Sequence, residues 1–313
     1  MKLFLGVDGG QSGTTALIGD ETGRILGQGI AGPCNHAAAG EGRAKLERAV
    51  RQSLAGACRQ AGLDADAVRF KVACFGMSGG PDDKREILAS ILRADNLVVT
   101  TDAVTALAGA TQTGQGIVTI AGTGSIAFGR NAAGRSVRAG GWGYIFGDEG
   151  AAFDIARQAT RAALRVDEGW GPPTVLRDAF LEATGSASAN EMLHRFYSDA
   201  WPRSRVATLA PLVDRAAMGG DAVAIEILNG AAIQLALLAG AVRGQLWKSG
   251  ERVDVAYIGG VFRGDLLREK FRLLVEMEPG CCCVAPLHGP ERGALLEAYR
   301  QEGLNPELRI SWK

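Results

Sequence analysis

Short apolar runs that end in glycine-rich turns recur along the first half of the chain. Leu3 to Val7 is apolar, an acid follows at Asp8, a turn rich in glycine and hydroxyl residues comes next, and a second apolar run begins at Ala16. This pattern predicts two strands joined by a tight turn. Because glycine has no Cβ, a ligand can approach the backbone N–H groups of such a turn closely.

Strands and helices alternate after this hairpin. The predicted elements are a strand at 24–31, a helix at 41–61, a strand at 70–75, a helix at about 81–93 and a strand at 97–99. Three strands, a helix, a strand, a helix and a strand predict an α/β domain with a mixed sheet.

The strand–turn–strand pattern restarts at residue 116. Residues 116–121 are apolar and end in a Gly-Thr-Gly-Ser turn, after which 126–130 and 135–139 are predicted strands. Two copies of one supersecondary pattern predict two related domains with a cleft between them.

The rest of the chain is predicted to be mostly helical. Apolar residues recur at helical spacing between 151 and 247, and 221–247 is the longest helix candidate. Its most apolar stretch, 231–242, is shorter than a membrane span and contains Gln234. The last predicted elements are a strand at 253–258, a helix at 264–275, a strand near 282–285 and a helix at 290–301.

The composition narrows the class of protein. The 313 residues include 34 Lys and Arg and 34 Asp and Glu, so no net charge recruits nucleic acid or an anionic membrane. The six cysteines, three of them in a row at Cys281–Cys283, form no CxxC pair. This argues against a zinc or iron–sulfur site and favours buried free thiols in a reducing cytoplasm. No charged-then-apolar signal segment begins the sequence.

Glycine-rich turns follow several of the predicted strands. They are Gly9-Gly10, Gly79-Gly80, Gly122-Thr123-Gly124 and Gly259-Gly260. Ligands of α/β sheets bind at the carboxyl ends of strands, so these turns, two of them with hydroxyl residues, predict phosphate recognition. The first turn has neither the GxxxxGK[ST] nor the GxGxxG spacing of the common nucleotide-binding loops.

Asp102 directly follows a predicted strand and two threonines. An aspartate at such a position is an ordinary helix N-cap, and it is equally suited to be a general base that takes a proton from a substrate hydroxyl.

Two other segments are candidates for sugar contacts. Trp142 and Tyr144 would form an apolar wall over a sugar or an acyl group. The loop residue Asn35 offers a donor and an acceptor to a pair of sugar hydroxyls.

With these motifs together, the chain resembles the superfamily of sugar kinases, actin and heat-shock chaperone ATPases. Within it, the chain is similar to the N-acetylglucosamine kinase group, which is classed with the BadF/BadG/BcrA/BcrD ATPases. The motifs that carry the resemblance are GVDGG at 6–10, CNH at 34–36, MSGG at 77–80, TTDA at 100–103, AGTGS at 121–125, GGWGYIFGDEG at 140–150 and GGV at 259–261.

The resemblance implies two ribonuclease H-like (actin-like ATPase) domains, each a mixed five-stranded sheet with flanking helices, with the active site in the cleft. It places the first domain at 1–112 and the second, with a helical insertion, at 113–296. A C-terminal helix at about 297–313 is expected to pack back on the first domain.

The resemblance also implies an ATP-dependent, cytoplasmic homodimer that uses Mg²⁺ to phosphorylate the 6-hydroxyl of N-acetylglucosamine. Asp102 would be the catalytic base and Asp8 would hold the hydrated metal ion. The positions implied to bind the sugar are Asn35, Ser78, Asp102, Thr123, Gly141, Trp142 and Asp148. The positions implied to bind the nucleotide are Gly9, Gly10, Gln11, Ser12, Gly122, Thr123, Gly124, Ser125, Gly260 and Val261.

Alternatives of two kinds remain open. Glucosamine or N-acetylmuramic acid would be the substrate if one pocket contact differed. A BadF-type ATPase that activates a partner enzyme by a conformational change belongs to another functional class. Asp102 and the aromatic loop favour the kinase, and the absence of a cysteine pair for a shared iron–sulfur cluster argues against the activator. Gln11 stands where many relatives carry a glycine, which makes that phosphate contact a departure from the pattern.

Overall fold

The structure is a computed structural model that describes residues 1–10, 13–34, 42–78, 84–111 and 113–312. The strands are β1 (Leu3–Gly9), β2 (Thr14–Asp20), β3 (Arg24–Ala31), β4 (Arg69–Met77), β5 (Arg93–Thr101), β6 (Gly116–Ala121), β7 (Ser125–Arg130), β8 (Ser136–Gly140), β9 (Val253–Ile258), β10 (Cys281–Val284) and β11 (Arg309–Ile310). The helices are α1 (Gly42–Ala61), α2 (Arg85–Ile91), α3 (Asp102–Ala110), α4 (Ala152–Asp167), α5 (Leu176–Thr184), α6 (Ala189–Phe196), α7 (Arg203–Ala207), α8 (Ala210–Met218), α9 (Ala222–Leu246), α10 (Asp265–Glu276) and α11 (Pro290–Arg300).

The chain divides into two compact units, one formed by Met1–Gln115 with Pro286–Lys313 and the other by Gly116–Ala285. The sequence predicts that the boundaries between the two domains lie after residues 112 and 296. Helix α11 begins before the second of these positions and packs on β1, β2 and β4, so the first unit takes in the chain from residue 286 onward.

The first unit is built on a mixed sheet with the strand order β11-β3-β2-β1-β4-β5. β1 to β3 are antiparallel, whereas β4 runs parallel to β1 and β5 runs parallel to β4. Side chains alternate between the faces of a strand. Leu5 and Val7 therefore pack with α1 and α2 on one face, and Phe4 packs with α11 on the other.

Glycines allow α11 to lie very close to its neighbours. A Cβ at Gly6 of β1 would lie 2.6 Å from the Cα of Leu295, and a Cβ at Gly293 would overlap the carbonyl oxygen of Thr105 in α3. The hydroxyl of Tyr299 donates to the carbonyl of Asp20 at 2.7 Å. These contacts fix α11, and with it the chain end, on the first sheet.

Helix α2 is shorter and β5 is longer than the sequence predicts. The sequence pattern continues the helix to residue 93, but Arg93 already pairs with Arg69 of β4, and Asp95 forms an ion pair with Arg69 at 2.6 Å. Polar residues at the exposed start of a strand resemble the polar end of a helix, which explains this error.

The first sheet has six strands rather than the predicted five, because the two-residue β11 pairs with β3 at the edge.

The second unit is built on a five-stranded sheet with the order β10-β9-β6-β7-β8. β6 to β8 are antiparallel, and β9 and β10 extend the sheet in parallel, as β4 and β5 do in the first unit. Helices α4 to α9 follow β8, and α9 packs on β6, β7 and β8. Two mixed sheets with flanking helices confirm the predicted fold class.

Helix α9 is long and apolar enough to cross a membrane by length and composition alone, contrary to the prediction from its central stretch. The helix begins at Ala222, well before that stretch, because the Asp221 side chain caps it by accepting from the N–H of Ala224 at 2.9 Å. Its buried face belongs to the core of the second unit and includes Leu228, Leu235 and Val242. A core helix of a globular protein satisfies the same test.

The six cysteines are free thiols, as predicted. Cys34, Cys58 and Cys74 are buried, whereas Cys281–Cys283 are only half-buried because β10 is an edge strand. The prediction of burial is therefore wrong for those three.

Candidate active site

The parallel strands of the first unit end at the same edge of the sheet. Asp8 of β1 is level with Gly76 of β4, which is level with Thr100 of β5. Helix α3 follows β5 directly and begins with Asp102. The sheet thus places Asp8 and Asp102 at the carboxyl ends of two parallel strands that flank β4, at the edge where ligands of α/β sheets bind.

The first glycine turn is closed by backbone hydrogen bonds. The N–H of Gly10 donates to the carbonyl of Gly13 at 2.9 Å, and the N–H of Ser78 donates to the carbonyl of Gly9 at 3.1 Å. A Cβ at Gly9 would lie 2.6 Å from the sulfur atoms of both Cys34 and Met77, so this position requires glycine. Gly9 therefore lies too close to the core for a side chain.

Asp102 is the first residue of α3 rather than its N-cap, a position that Thr101 occupies. Burial raises the pKa of Asp102 above its usual range, while the N–H groups of Ala103 and Asp102 and the charge of Lys84 oppose this shift. The Thr105 side chain of α3 packs against Gly76, where an added Cβ would be 2.9 Å from the Thr105 Cβ. This close packing holds the first turn of α3 against β4.

Asp8 lies in a strongly acidic environment. Burial, followed by the charges of Asp102 and Glu291, raises the pKa of Asp8 to about 7. Glu291 lies in the first turn of α11 and was missed by sequence reasoning, because only the return of α11 onto β1 brings it near Asp8. The charges of Asp102 and Glu291 thus disfavour the ionised form of Asp8.

Lys84 is a second residue that sequence reasoning missed. It is fully buried, and its charge opposes the rise in pKa that burial causes in both Asp102 and Cys34. A fully buried lysine is rare, so its burial in the structure draws attention to it. The sequence gives no such signal, because there Lys84 looks like an ordinary solvent-exposed residue.

The glycine turn of the second unit joins β6 to β7. The N–H of Gly122 donates to the carbonyl of Gly124 at 2.9 Å, and the N–H of Ser125 donates to Oδ1 of Asp148 at 3.1 Å. Within the described part of the chain, the N–H groups of Thr123 and Gly124 have no hydrogen-bond partner. Of the four predicted phosphate contacts in this turn, Thr123 and Gly124 retain free backbone donors, whereas those of Gly122 and Ser125 are used internally.

An ion pair lies against this turn. The carboxylate of Asp148, a buried residue, pairs with the guanidinium of Arg203, and Nη2 of Arg203 also donates to the carbonyl of Thr123 at 3.0 Å. A Cβ at Gly124 would lie 2.8 Å from Oδ2 of Asp148 and 2.9 Å from Nη2 of Arg203. Sequence reasoning predicts sugar binding for Asp148; the structure shows both of its oxygens already bound to Ser125 and Arg203.

The aromatic loop after β8 contains several residues in the left-handed region. Gly140, Gly141, Gly143 and Asp148 have positive φ. The Trp142 side chain is 67% exposed and lies under the guanidinium of Arg138, 5.1 Å from its Cζ. The predicted wall residue is therefore accessible to a ligand of the second unit.

The turn after β9 is a short 3₁₀ segment, Gly260–Arg263. A Cβ at Gly259 would lie 2.5 Å from the carbonyl carbon of Ala121, whereas a Cβ at Gly260 would have nothing within 4 Å. The Val261 side chain is buried in the core, so only its backbone is left for the predicted nucleoside contact. Close by, Asp214 of α8 packs against Gly264, and burial raises the pKa of Asp214 to about 6.

Several predicted site residues lie outside the described residues: Gln11, Ser12 and Asn35, together with Gly79 and Gly80. Ser78 is described; its hydroxyl is buried and has no hydrogen-bond partner among the described residues.

The chain is similar to several known proteins. The family model described as the BadF/BadG/BcrA/BcrD ATPase family matches residues 5–298. An N-acetylmuramic acid/N-acetylglucosamine kinase of Clostridium acetobutylicum is 32% identical over 88% of this chain and 91% of its own length. An N-acetyl-D-glucosamine kinase of Dictyostelium discoideum is 29% identical over 96% of this chain and 99% of its own length. The crystal structure of a protein proposed to be an N-acetylglucosamine kinase, from Chromobacterium violaceum, is 29% identical, with a TM-score of 0.79 and coverage of 95% of this chain and 98% of that one.

The two glycines of the second turn allow a matched test of its packing. We expect Gly124→Ala to lower the free energy of unfolding by about 1–3 kcal/mol, because the new methyl group would press on the Asp148–Arg203 pair. Gly122→Ala is the control, since a Cβ there has open space around it. Urea unfolding without ligands measures both variants. Equal stability of the two variants would contradict the packing described for this turn.

Proposed function

Because the chain belongs to the BadF/BadG/BcrA/BcrD ATPase family, we propose that it is an ATP-dependent amino-sugar kinase that phosphorylates the 6-hydroxyl of N-acetylglucosamine. The observation that carries the proposal is Asp102, a carboxyl group of raised pKa at the carboxyl end of β5, on the same sheet edge as Asp8. A nucleotide-binding protein without acceptor chemistry has no need for such a group.

Asp102 is assigned the role of general base. It would accept the proton of the attacking hydroxyl, and its raised pKa makes it a better proton acceptor than an exposed aspartate. A general base of this kind contributes ~10²–10⁴-fold to the rate. The charge of Lys84 opposes the rise in pKa that burial causes in Asp102, and so favours the ionised form of the base.

Mg²⁺ is the metal ion that fits the first unit. Carboxylate oxygens and water are its preferred ligands, and a divalent cation at Asp8 would offset the repulsion that Asp8 experiences from Asp102 and Glu291. Asp8 would hold the ion through its water shell. The ion would neutralise charge on the transferred phosphoryl group and its leaving group.

The second unit is assigned the recognition of phosphate and of the acetamido group. The free N–H groups of Thr123 and Gly124 are donors suited to phosphate oxygens. Trp142, exposed beside Gly141, offers an apolar face to the N-acetyl methyl group.

We also propose that the enzyme acts as a cytoplasmic homodimer. Glucosamine and N-acetylmuramic acid are the alternative acceptors. ATP hydrolysis that no sugar stimulates would instead favour the activator class.

Asp102→Asn tests the base. The variant keeps the shape of the side chain but cannot take a proton, so we expect kcat to fall by about 10²-fold or more while sugar affinity is retained. A coupled ADP assay and isothermal titration with N-acetylglucosamine measure the two quantities. Asp95→Asn, at the exposed start of β5, is the control and should keep wild-type turnover. Near-wild-type kcat in Asp102→Asn would remove Asp102 from the catalytic role.

The acetamido contact is tested by thermal shift. N-acetylglucosamine should raise the melting temperature of the wild type more than glucose does, because only the former has a methyl group to place on Trp142. Trp142→Ala should abolish the difference. Trp170→Ala is the matched control, since Trp170 is 64% exposed, lies under Arg165 and is bonded to Glu168. Equal shifts by the two sugars in the wild type would eliminate this role of Trp142.

A further inference from the structure

Arg203 is an arginine that the motifs of the family resemblance do not include, yet it reaches the glycine turn from a distant helix. We propose that Arg203 is a positioning residue for the nucleotide phosphates: it neutralises Asp148 and orients the backbone donor of Gly124. This inference rests on the proposed function, because it concerns the phosphate turn of that kinase.

Arg203 is held in place from several sides. It is the first residue of α7, and its guanidinium carbon lies 5.1 Å from the ring centroid of Tyr144 and 5.7 Å from that of Phe153. Its Nη2 donates both to the carbonyl of Thr123 and to the carboxylate of Asp148. A guanidinium stacked on aromatic rings and bound at two acceptors has little freedom, so it can fix the parts of the chain that it bridges.

The first consequence is electrostatic. Asp148 is 5% exposed, and its carboxylate lies against Gly124 and accepts from Ser125, both in the turn. Without a partner, this negative charge would oppose the approach of a polyphosphate to the same turn. Arg203 removes that opposition, and it is the ion-pair partner that the described residues give Asp148.

The second consequence concerns backbone geometry. The peptide bond between Thr123 and Gly124 is planar and trans, so its C=O and N–H groups point in opposite directions. Arg203 binds the C=O of Thr123 and thereby orients the N–H of Gly124, which has no partner among the described residues. A preoriented donor binds an anion without the cost of reorganising the turn.

A plain structural ion pair is the competing explanation for these contacts. In that case Arg203 would hold α7 in place and its removal would lower stability, but the folded protein would bind nucleotide as before. Nucleotide affinity therefore distinguishes the two explanations, and the charge on Asp148 supplies an internal check. If neutralisation matters, losing Arg203 will be less harmful once Asp148 is itself neutral.

The experiment is titration of the magnesium complex of a non-hydrolysable ATP analogue into the full chain, without sugar and well below the melting temperature. We expect Arg203→Met to raise Kd by about tenfold or more, as the loss of charge-assisted bonds predicts. Arg203→Lys keeps the charge but lacks the planar group that packs on Tyr144 and Phe153, and should raise Kd by about threefold. It also keeps the test available should Arg203→Met not fold. In the Asp148→Asn background, Arg203→Met should raise Kd by clearly less than in the wild type.

Arg205→Met is the matched control. Arg205 lies on the same helix, stacks 4.1 Å from the ring centroid of Trp201 and donates to the carbonyl of Ala200, away from the turn. The Kd of Arg205→Met for the ATP analogue should equal that of the wild type. Wild-type Kd in Arg203→Met and Arg203→Lys, with sugar phosphorylation intact in the wild type, would overturn the inference and leave the proposed function standing. A wild type that binds no nucleotide would overturn both.

Discussion

The parallel pairing of strands at one edge of each sheet is the constraint on which the rest of the structure depends. In the first unit it brings the ends of β1, β4 and β5 level, so that Asp8 and Asp102 lie at one edge. In the second unit β6 and β9 pair in the same way, and the glycine turns at 122–124 and 259–260 follow their carboxyl ends. Hydrogen bonding between strands, rather than any property of the loops, thus decides where the chemistry of each unit lies.

The two strand edges differ in their electrostatic environment. The first unit collects carboxyl groups whose pKa values are raised by burial, with Lys84 as a nearby positive charge. The second unit pairs its buried carboxylate, Asp148, with Arg203 and leaves backbone donors of the turn free. Under the proposed function, the acidic group would hold a metal ion and the neutralised turn would bind phosphate, and phosphoryl transfer requires both.

Much of the fold and part of the candidate site could be predicted from the sequence, because local patterns encode them. Apolar runs and glycine turns located the strands, and the position of Asp102 after a strand indicated that it lies at the carboxyl edge of the sheet. Arg203, Glu291 and Lys84 could not be found in this way. Arg203 is 80 residues from its acceptor in the turn, and Glu291 depends on the return of α11 to β1. Such contacts arise from packing between distant segments, and a single sequence carries no periodic signal for them. The extra length of β5 was missed for a related reason, since its polar start is stabilised by Arg69 on another strand.

The identity of the phosphorylated atom is the most direct test of the central claim that this chain is a sugar 6-kinase. The product formed from ATP and N-acetylglucosamine should be examined by proton-coupled ³¹P nuclear magnetic resonance. A phosphate ester at the 6-position is coupled to the two protons of a methylene group, and this is the result we predict. A phosphate coupled to a single ring proton, or the appearance of inorganic phosphate and ADP alone, would contradict the account.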